Sequence, residues 1–139
     1  MCLITKQKRV KIAKEDIKCY KNLAETTDPN TVQSIHYDFT WTMGKVEKTK
    51  LKKVFQKIIG ADPIVTDKYD THRPDEEILK EFTAIGPGFH ACLTIERARK
   101  NANAETSRFE AVIPNGSRYY VDSTGLIVAN QMMIKGLVS

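Results

Sequence analysis

Ser107-Arg108-Phe109-Glu110-Ala111-Val112-Ile113-Pro114-Asn115-Gly116-Ser117-Arg118-Tyr119-Tyr120-Val121 is the stretch whose reading decides the fold. Phe109, Ala111 and Ile113 recur at every second position, so an extended chain puts all three on one face. Pro114-Asn115-Gly116 interrupts that pattern with turn chemistry, and Tyr119 to Val121 resumes it. Asp122-Ser123-Thr124-Gly125 reads as a hairpin loop, Leu126 to Ala129 returns, and Met132 to Val138 gives a last strand. Upstream, Gly86-Pro87-Gly88 turns the chain into a short strand at Phe89 to Leu93. Thr94 follows as an N-cap for a helix from Ile95 to about Ala102, with Glu96 in its first turn.

Further from this core stretch the signals continue. Ile17, Cys19 and Leu23 share one face of a strand, and Thr26 to Asn30 supplies a turn around Pro29. Ile35, Tyr37, Phe39 and Trp41 alternate with His36, Asp38 and Thr40, which predicts a strand with Trp41 inward and His36 facing solvent, ended by Gly44. Leu51, Val54, Phe55, Ile58 and Ile59 have helical spacing, which predicts a lysine-rich amphipathic helix stopped by Gly60. The stretch 61–74 reads as a long loop, a candidate lid, and Asp75-Glu76-Glu77 as the first turn of a helix carrying Ile78, Leu79 and Phe82. Residues 1–16 read as a basic arm. Strands outnumber helices and the two do not alternate regularly. The expected class is therefore α+β: one domain over 1–139, mostly antiparallel strands with two or three short helices.

The 139 residues can bury a core without metals or disulfides, and no apolar run approaches the ~20 residues of a membrane helix. The N-terminus lacks the apolar stretch of a signal peptide, which predicts a cytoplasmic protein. Cys2, Cys19 and Cys92 are odd in number and without CxxC spacing, so Cys19 and Cys92 read as small buried hydrophobes. Three scattered histidines make a poor metal site, and no phosphate loop, HExxH, GxSxG or EF-hand spacing occurs. No metal or cofactor is expected.

A formal charge of +5 favours anionic partners. The candidate ligand-binding residues are His90, Arg97, Arg108, Arg118, Tyr119 and Tyr120, with Glu110 among them in sequence. Guanidinium groups fit phosphate oxygens bidentately and tyrosine rings can stack on a base, so the set suits a small anionic, nucleotide-like ligand. Adjacent strand residues face opposite sides, so one of Tyr119 and Tyr120 belongs to the core. Nucleic acid stays open as a partner with no groove-reading motif behind it, and so does the oligomeric state, a homo-oligomer included.

Met1-Cys2-Leu3-Ile4-Thr5-Lys6-Gln7, Gly88-Phe89-His90 and Ile113-Pro114-Asn115-Gly116-Ser117-Arg118-Tyr119-Tyr120 resemble small proteins encoded by gut Bacteroidetes and their phages. That resemblance implies a mobile-element origin and a host bacterial cytoplasm, and carries no established activity. Glu110-Ala111-Val112-Ile113-Pro114, followed by Asn115-Gly116-Ser117, is similar to the Glu-containing strand of ADP-ribosyltransferases. That similarity implies catalysis by Glu110 on a nicotinamide ribose, with His90 holding the adenine-side ribose. The chain departs from the pattern at Arg108, where that family has an acid, and in having no Ser-Thr-Ser strand.

The leading expectation is a non-enzymatic phage-type accessory protein that sequesters a nucleotide-like ligand, such as a cyclic nucleotide or ADP-ribose-type immune signal, against a bacterial defence. The alternatives are a divergent ADP-ribosyltransferase-like enzyme using Glu110, and an interaction protein that blocks a host protein or nucleic-acid complex through the lysine-rich 45–59 segment.

Overall fold

The nine-residue strand Ile17–Glu25 (β3) is the spine to which the rest attaches. A computed structural model describes residues 3–5, 7, 9–34, 39–51, 53–55, 83–85 and 88–138. On one side β3 pairs with Ser107–Ile113 (β10) in a seven-residue antiparallel register from Ser107↔Leu23 to Ile113↔Ile17. On the other it pairs with Phe89–Cys92 (β9) at Tyr20↔Cys92. Outward from β9 come Leu126–Ala129 (β12), Arg118–Val121 (β11) and Lys11–Ile12 (β2). Outward from β10 come Gln131–Leu137 (β13) and Val46–Lys48 (β6). The order is β2-β11-β12-β9-β3-β10-β13-β6. Thr31–Gln33 (β4) extends the end of β3 and forms a hairpin with Thr40–Thr42 (β5). Leu3–Thr5 (β1), Thr83–Ile85 (β8) and Lys53–Phe55 (β7) make a separate three-stranded sheet, β1-β8-β7. Every pairing among the described strands is antiparallel.

The order contains a constraint. β12 and β13 are separated in sequence by Asn130 alone, yet in the sheet β9, β3 and β10 lie between them. One residue cannot cross three strands at about 4.8 Å each. The sheet therefore curls until the end of β12 meets the start of β13. The inside of the curl is the core: Cys19, Leu23, Ala91, Phe109, Ala111, Ile113, Ile127, Ala129, Met132 and Ile134, with Val32 and Trp41 supplied by the β4–β5 hairpin. Phe109, Ala111 and Ile113 are at most 2% exposed, so the alternation in β10 is a core face.

Trp41 closes one end of the curl. Its Nε1 donates to Ser34 Oγ at 3.1 Å, and its ring lies 4.8 Å from Phe89 and 5.0 Å from Phe39. The Lys21 ammonium sits 5.8 Å from the Trp41 ring centroid and donates to the His90 carbonyl. Burial pushes that ammonium down to about 8, partly opposed by the neighbouring Cys19 and Cys92. The thiols of Cys19 and Cys92 are buried as expected, and burial raises both, Cys19 to about 12.

Other expectations require correction. One helix is present among the described residues, Ile95–Lys100 (α1), where two or three were expected. Its start is as read, with Thr94 Oγ1 accepting from the Arg97 amide at 3.2 Å. The helix expected over 51–59 is contradicted at 53–55, which form β7 and pair with β8 at Lys53↔Ile85 and Phe55↔Ala84. Val54 and Phe55 favour extended backbone, and ladder pairing prevails over an apolar spacing compatible with a helical turn. The stretch read as a basic arm contains β1 and β2. It is fastened through the Gln7 side chain, which donates to Tyr119 O at 3.1 Å and accepts from the Val121 amide at 3.0 Å. The 61–74 loop, the helix expected at 75–82 and residues 35–38 of the alternating strand lie outside the described residues.

Trp41→Ala removes the aromatic plug at 1% exposure. Its expected cost is about 3–5 kcal/mol, read as a lower urea midpoint at unchanged slope. A variant that unfolds at the wild-type midpoint would show that the hairpin is dispensable to the core.

Candidate functional site

At the corner, Asn130 serves as the last rung of two ladders. Its amide donates to Arg118 O at 3.0 Å, which continues the β11–β12 pairing. Its carbonyl accepts from the Thr49 amide at 2.8 Å, which continues β13–β6. Its side-chain Oδ1 accepts from the Arg118 amide at 2.8 Å. The segment after β6 and the edge strand preceded by Val10 are thus drawn to the same place, and a cleft of about 390 Å³ opens between them. It is lined by Val10, Thr49, Lys50, Leu51, Arg118, Tyr120 and Asn130.

The wall of this cleft is apolar. Tyr120, 5% exposed, and the fully buried Val128 pack with Val10, Leu51 and Leu126 on the outer side of the sheet. Burial raises the Tyr120 hydroxyl above its ordinary value, so it stays protonated and able to donate. Gly88 permits this packing. It has φ +138, and a Cβ there would lie 2.4 Å from Val128 Cγ2 and 2.6 Å from Leu51 Cδ2. The polar groups are the Lys50 ammonium, the Arg118 guanidinium, the Thr49 and Tyr120 hydroxyls and the Asn130 amide. With Oδ1 of Asn130 occupied by Arg118, its Nδ2 is the group left over. Among the described lining residues there is no carboxylate.

The sequence-predicted residues distribute as follows. Arg118 and Tyr120 line the cleft, whereas Tyr119 points to the other side and packs against the main core. His90 and Arg108 lie on the outer side, in one transverse row. Arg108 pairs with Asn22, Tyr20↔Cys92 sets Asn22 across from His90, His90 pairs with Val128, and Val128 with Tyr120. Arg108 Nη1, Asn22 Oδ1 and His90 Nε2 are buried without a hydrogen-bond partner among the described residues. Arg97 stands on α1 and donates to Asn101 Oδ1 at 3.1 Å. Glu110 lies 3.7 Å from the Lys135 ammonium. Neither His90, Arg97, Arg108 nor Glu110 lines the cleft.

Five lining residues escaped the sequence reading of the site: Val10, Thr49, Lys50, Leu51 and Asn130. The available signal for Asn130 was a polar residue breaking an otherwise apolar run between two strands. Lys50 belonged to a lysine-rich run in which nothing local marks one lysine above another. A second cleft of about 360 Å³ lies beside the β3–β4 turn, with Glu25 and Asp28 over Val32, Met43, Phe109 and Leu137. It contains none of the predicted residues. Among the described residues, no group of three or more His, Cys, Asp or Glu is placed to hold a metal, and no helix is long and apolar enough to cross a membrane.

No family model, curated protein or solved structure matches the chain.

His90 gives the site's surroundings a pH signature. Burial, then the Lys21 ammonium, pushes its imidazole down to about 4 from an ordinary 6.5, against an opposing backbone contact with Gly88. Between pH 6.5 and 4 the unfolded chain takes up a proton on His90 that the folded chain refuses. That contribution to stability is present above 6.5 and lost as the pH falls towards 4. In urea unfolding at several pH values, His90→Gln should show a shallower loss over this window than wild type. Parallel pH profiles for the two proteins would remove His90 as the cause.

Proposed function

We propose that the protein binds a small anionic, nucleotide-like ligand in the Lys50–Arg118–Tyr120 cleft and holds it without consuming it. One observation carries this reading: among the described residues, the lining of a cleft with an apolar wall includes two cations, three further groups able to donate and no carboxylate. Charge-assisted bonds from Lys50 and Arg118 suit phosphate oxygens, and the wall of Val10, Leu51 and Tyr120 suits the less polar remainder of such a molecule. Sequestration of a cyclic nucleotide or ADP-ribose-type signal, blunting a bacterial defence, is the role that the phage-type resemblance adds. Glu110, engaged by Lys135 and outside the cleft lining, has no part in this binding.

Thermal-shift screening against mononucleotides, cyclic nucleotides, NAD and ADP-ribose tests the proposal. A hit present at 100 times its Kd adds about 2.7 kcal/mol of stability and should be recovered intact after heat denaturation. In calorimetric titration, Arg118→Ala should weaken the hit by about 1.5–3 kcal/mol, the value of a hydrogen bond to a charged group. Glu110→Gln should bind as wild type. Binding that survives Arg118→Ala and fails in Glu110→Gln would overturn the proposal, as would conversion of the ligand.

A further inference from the structure

We infer that the cleft accepts one unit of a single-stranded nucleic acid, without base preference, and that the strand's backbone continues past it along the outer side of β6. The inference rests on the cleft reading above and extends it from a free nucleotide to a polymer.

Three observations point the same way. The first is the line of cations. Met132 is buried in the core and pairs with Glu47, so Glu47 is on the core side of β6 and Lys48, opposite Gln131, is on the outer side. Lys48 therefore shares its side with the cleft, where Lys50 and Arg118 stand. The acid of β6, Glu47, is on the other side, 3.7 Å from Lys45. Lys48, Lys50 and Arg118 thus form a run of positive charge longer than one phosphate needs.

The second observation is exposed apolar surface beside that line. Ile12 is 55% exposed and pairs with Arg118, and Val46 is 38% exposed two residues before Lys48. Ile12 thus stands beside Arg118, and Val46 lies on the outer side of β6 with Lys48. Solvated apolar groups alternating with cations suit a strand whose bases are unstacked and whose phosphates are in contact.

The third concerns acceptors for a base amino group. Among the described lining residues the one side-chain carbonyl, Asn130 Oδ1, is taken by the Arg118 amide, and there is no carboxylate to receive a base amino group. Phosphate contacts position a strand, whereas base-edge contacts specify it. Lys50 and Arg118 can supply the first kind.

The test uses the full chain, a fluorescein-labelled ten-nucleotide thymidine oligomer followed by anisotropy, and thymidine monophosphate followed by calorimetry. The oligomer should bind at least tenfold more tightly than the monophosphate. An adenosine oligomer should bind within a few-fold of the thymidine one. Three engaged phosphates predict a log–log salt slope of about −2. Lys48→Gln should lower oligomer affinity several-fold and flatten the slope by about 0.7, leaving monophosphate binding unchanged. Arg118→Ala should weaken both. Equal affinity for oligomer and monophosphate, preference for a duplex, or indifference of the oligomer to Lys48→Gln would overturn the inference while leaving the cleft reading in place. Failure of Arg118→Ala to weaken the monophosphate would strike the cleft reading itself. Circular dichroism melting of each variant separates loss of contact from loss of fold.

Discussion

A single residue between β12 and β13 is the constraint on which the architecture depends. Had the connection been long, the sheet could have stayed open, with β12 and β13 on distant strands and no reason for their ends to meet. With Asn130 alone between them, the ends must touch and the sheet must curl. The curl gathers the inward faces of β3, β9, β10, β12 and β13 into one core and brings both edges of the sheet to the same corner. Asn130 suits the position chemically. Its amide and carbonyl satisfy different strands, and its side chain supplies an acceptor that the Arg118 amide needs there. An alanine would keep both backbone rungs and leave the Arg118 amide without its side-chain acceptor.

The two sides of the curled sheet carry different chemistry. Inside, the Lys21 ammonium has surroundings that answer for it: the Trp41 ring faces it and the His90 carbonyl accepts from it. Outside, α1 covers the middle of the sheet, with the Asn22 side chain donating to Ala98 O at 2.8 Å. The small residue Ala98 allows that approach, being fully buried against the strands. The helix is six residues long and leaves the β11 end of the outer side to the Tyr120–Val128 cluster and the cleft.

Strand identity was legible because a half-buried strand writes its face at every second residue. Phe109-x-Ala111-x-Ile113 and Ile17-x-Cys19 are read in this way, and both faces lie against the core. Thr94 was legible as a cap because its hydroxyl acts within its own helical turn. What could not be read is whatever depends on residues far apart in sequence. Lys50 and Arg118 meet 68 positions apart through Asn130, and no local pattern encodes that meeting. The 53–55 segment failed for a related reason. Its apolar spacing fits a helical turn, while its partner, β8, is some thirty residues away. The row from Arg108 through Asn22 to His90 is likewise a product of register, with each member drawn from a different strand.

Reading the lysine-rich segment as strand also changes what its charges can do. On a helix, Lys50, Lys53 and Lys57 would share a face and present a diffuse cationic stripe to solvent. On an extended chain the alternation sorts the charges instead. Lys45 and Glu47 fall on the core side, where they lie within 3.7 Å of each other. Val46 and Lys48 fall on the outer side, and Lys50, one more alternation along, lines the cleft. Among the described residues, Lys48 and Lys50 are thereby set on the side of the sheet that carries the cleft. Arg118 arrives there independently, from β11. Two cations that line one cleft repel each other, and an anion bound between them would be attracted by both. A protein of net charge +5 has many exposed cations; the corner is where backbone pairing has placed two of them around an apolar wall.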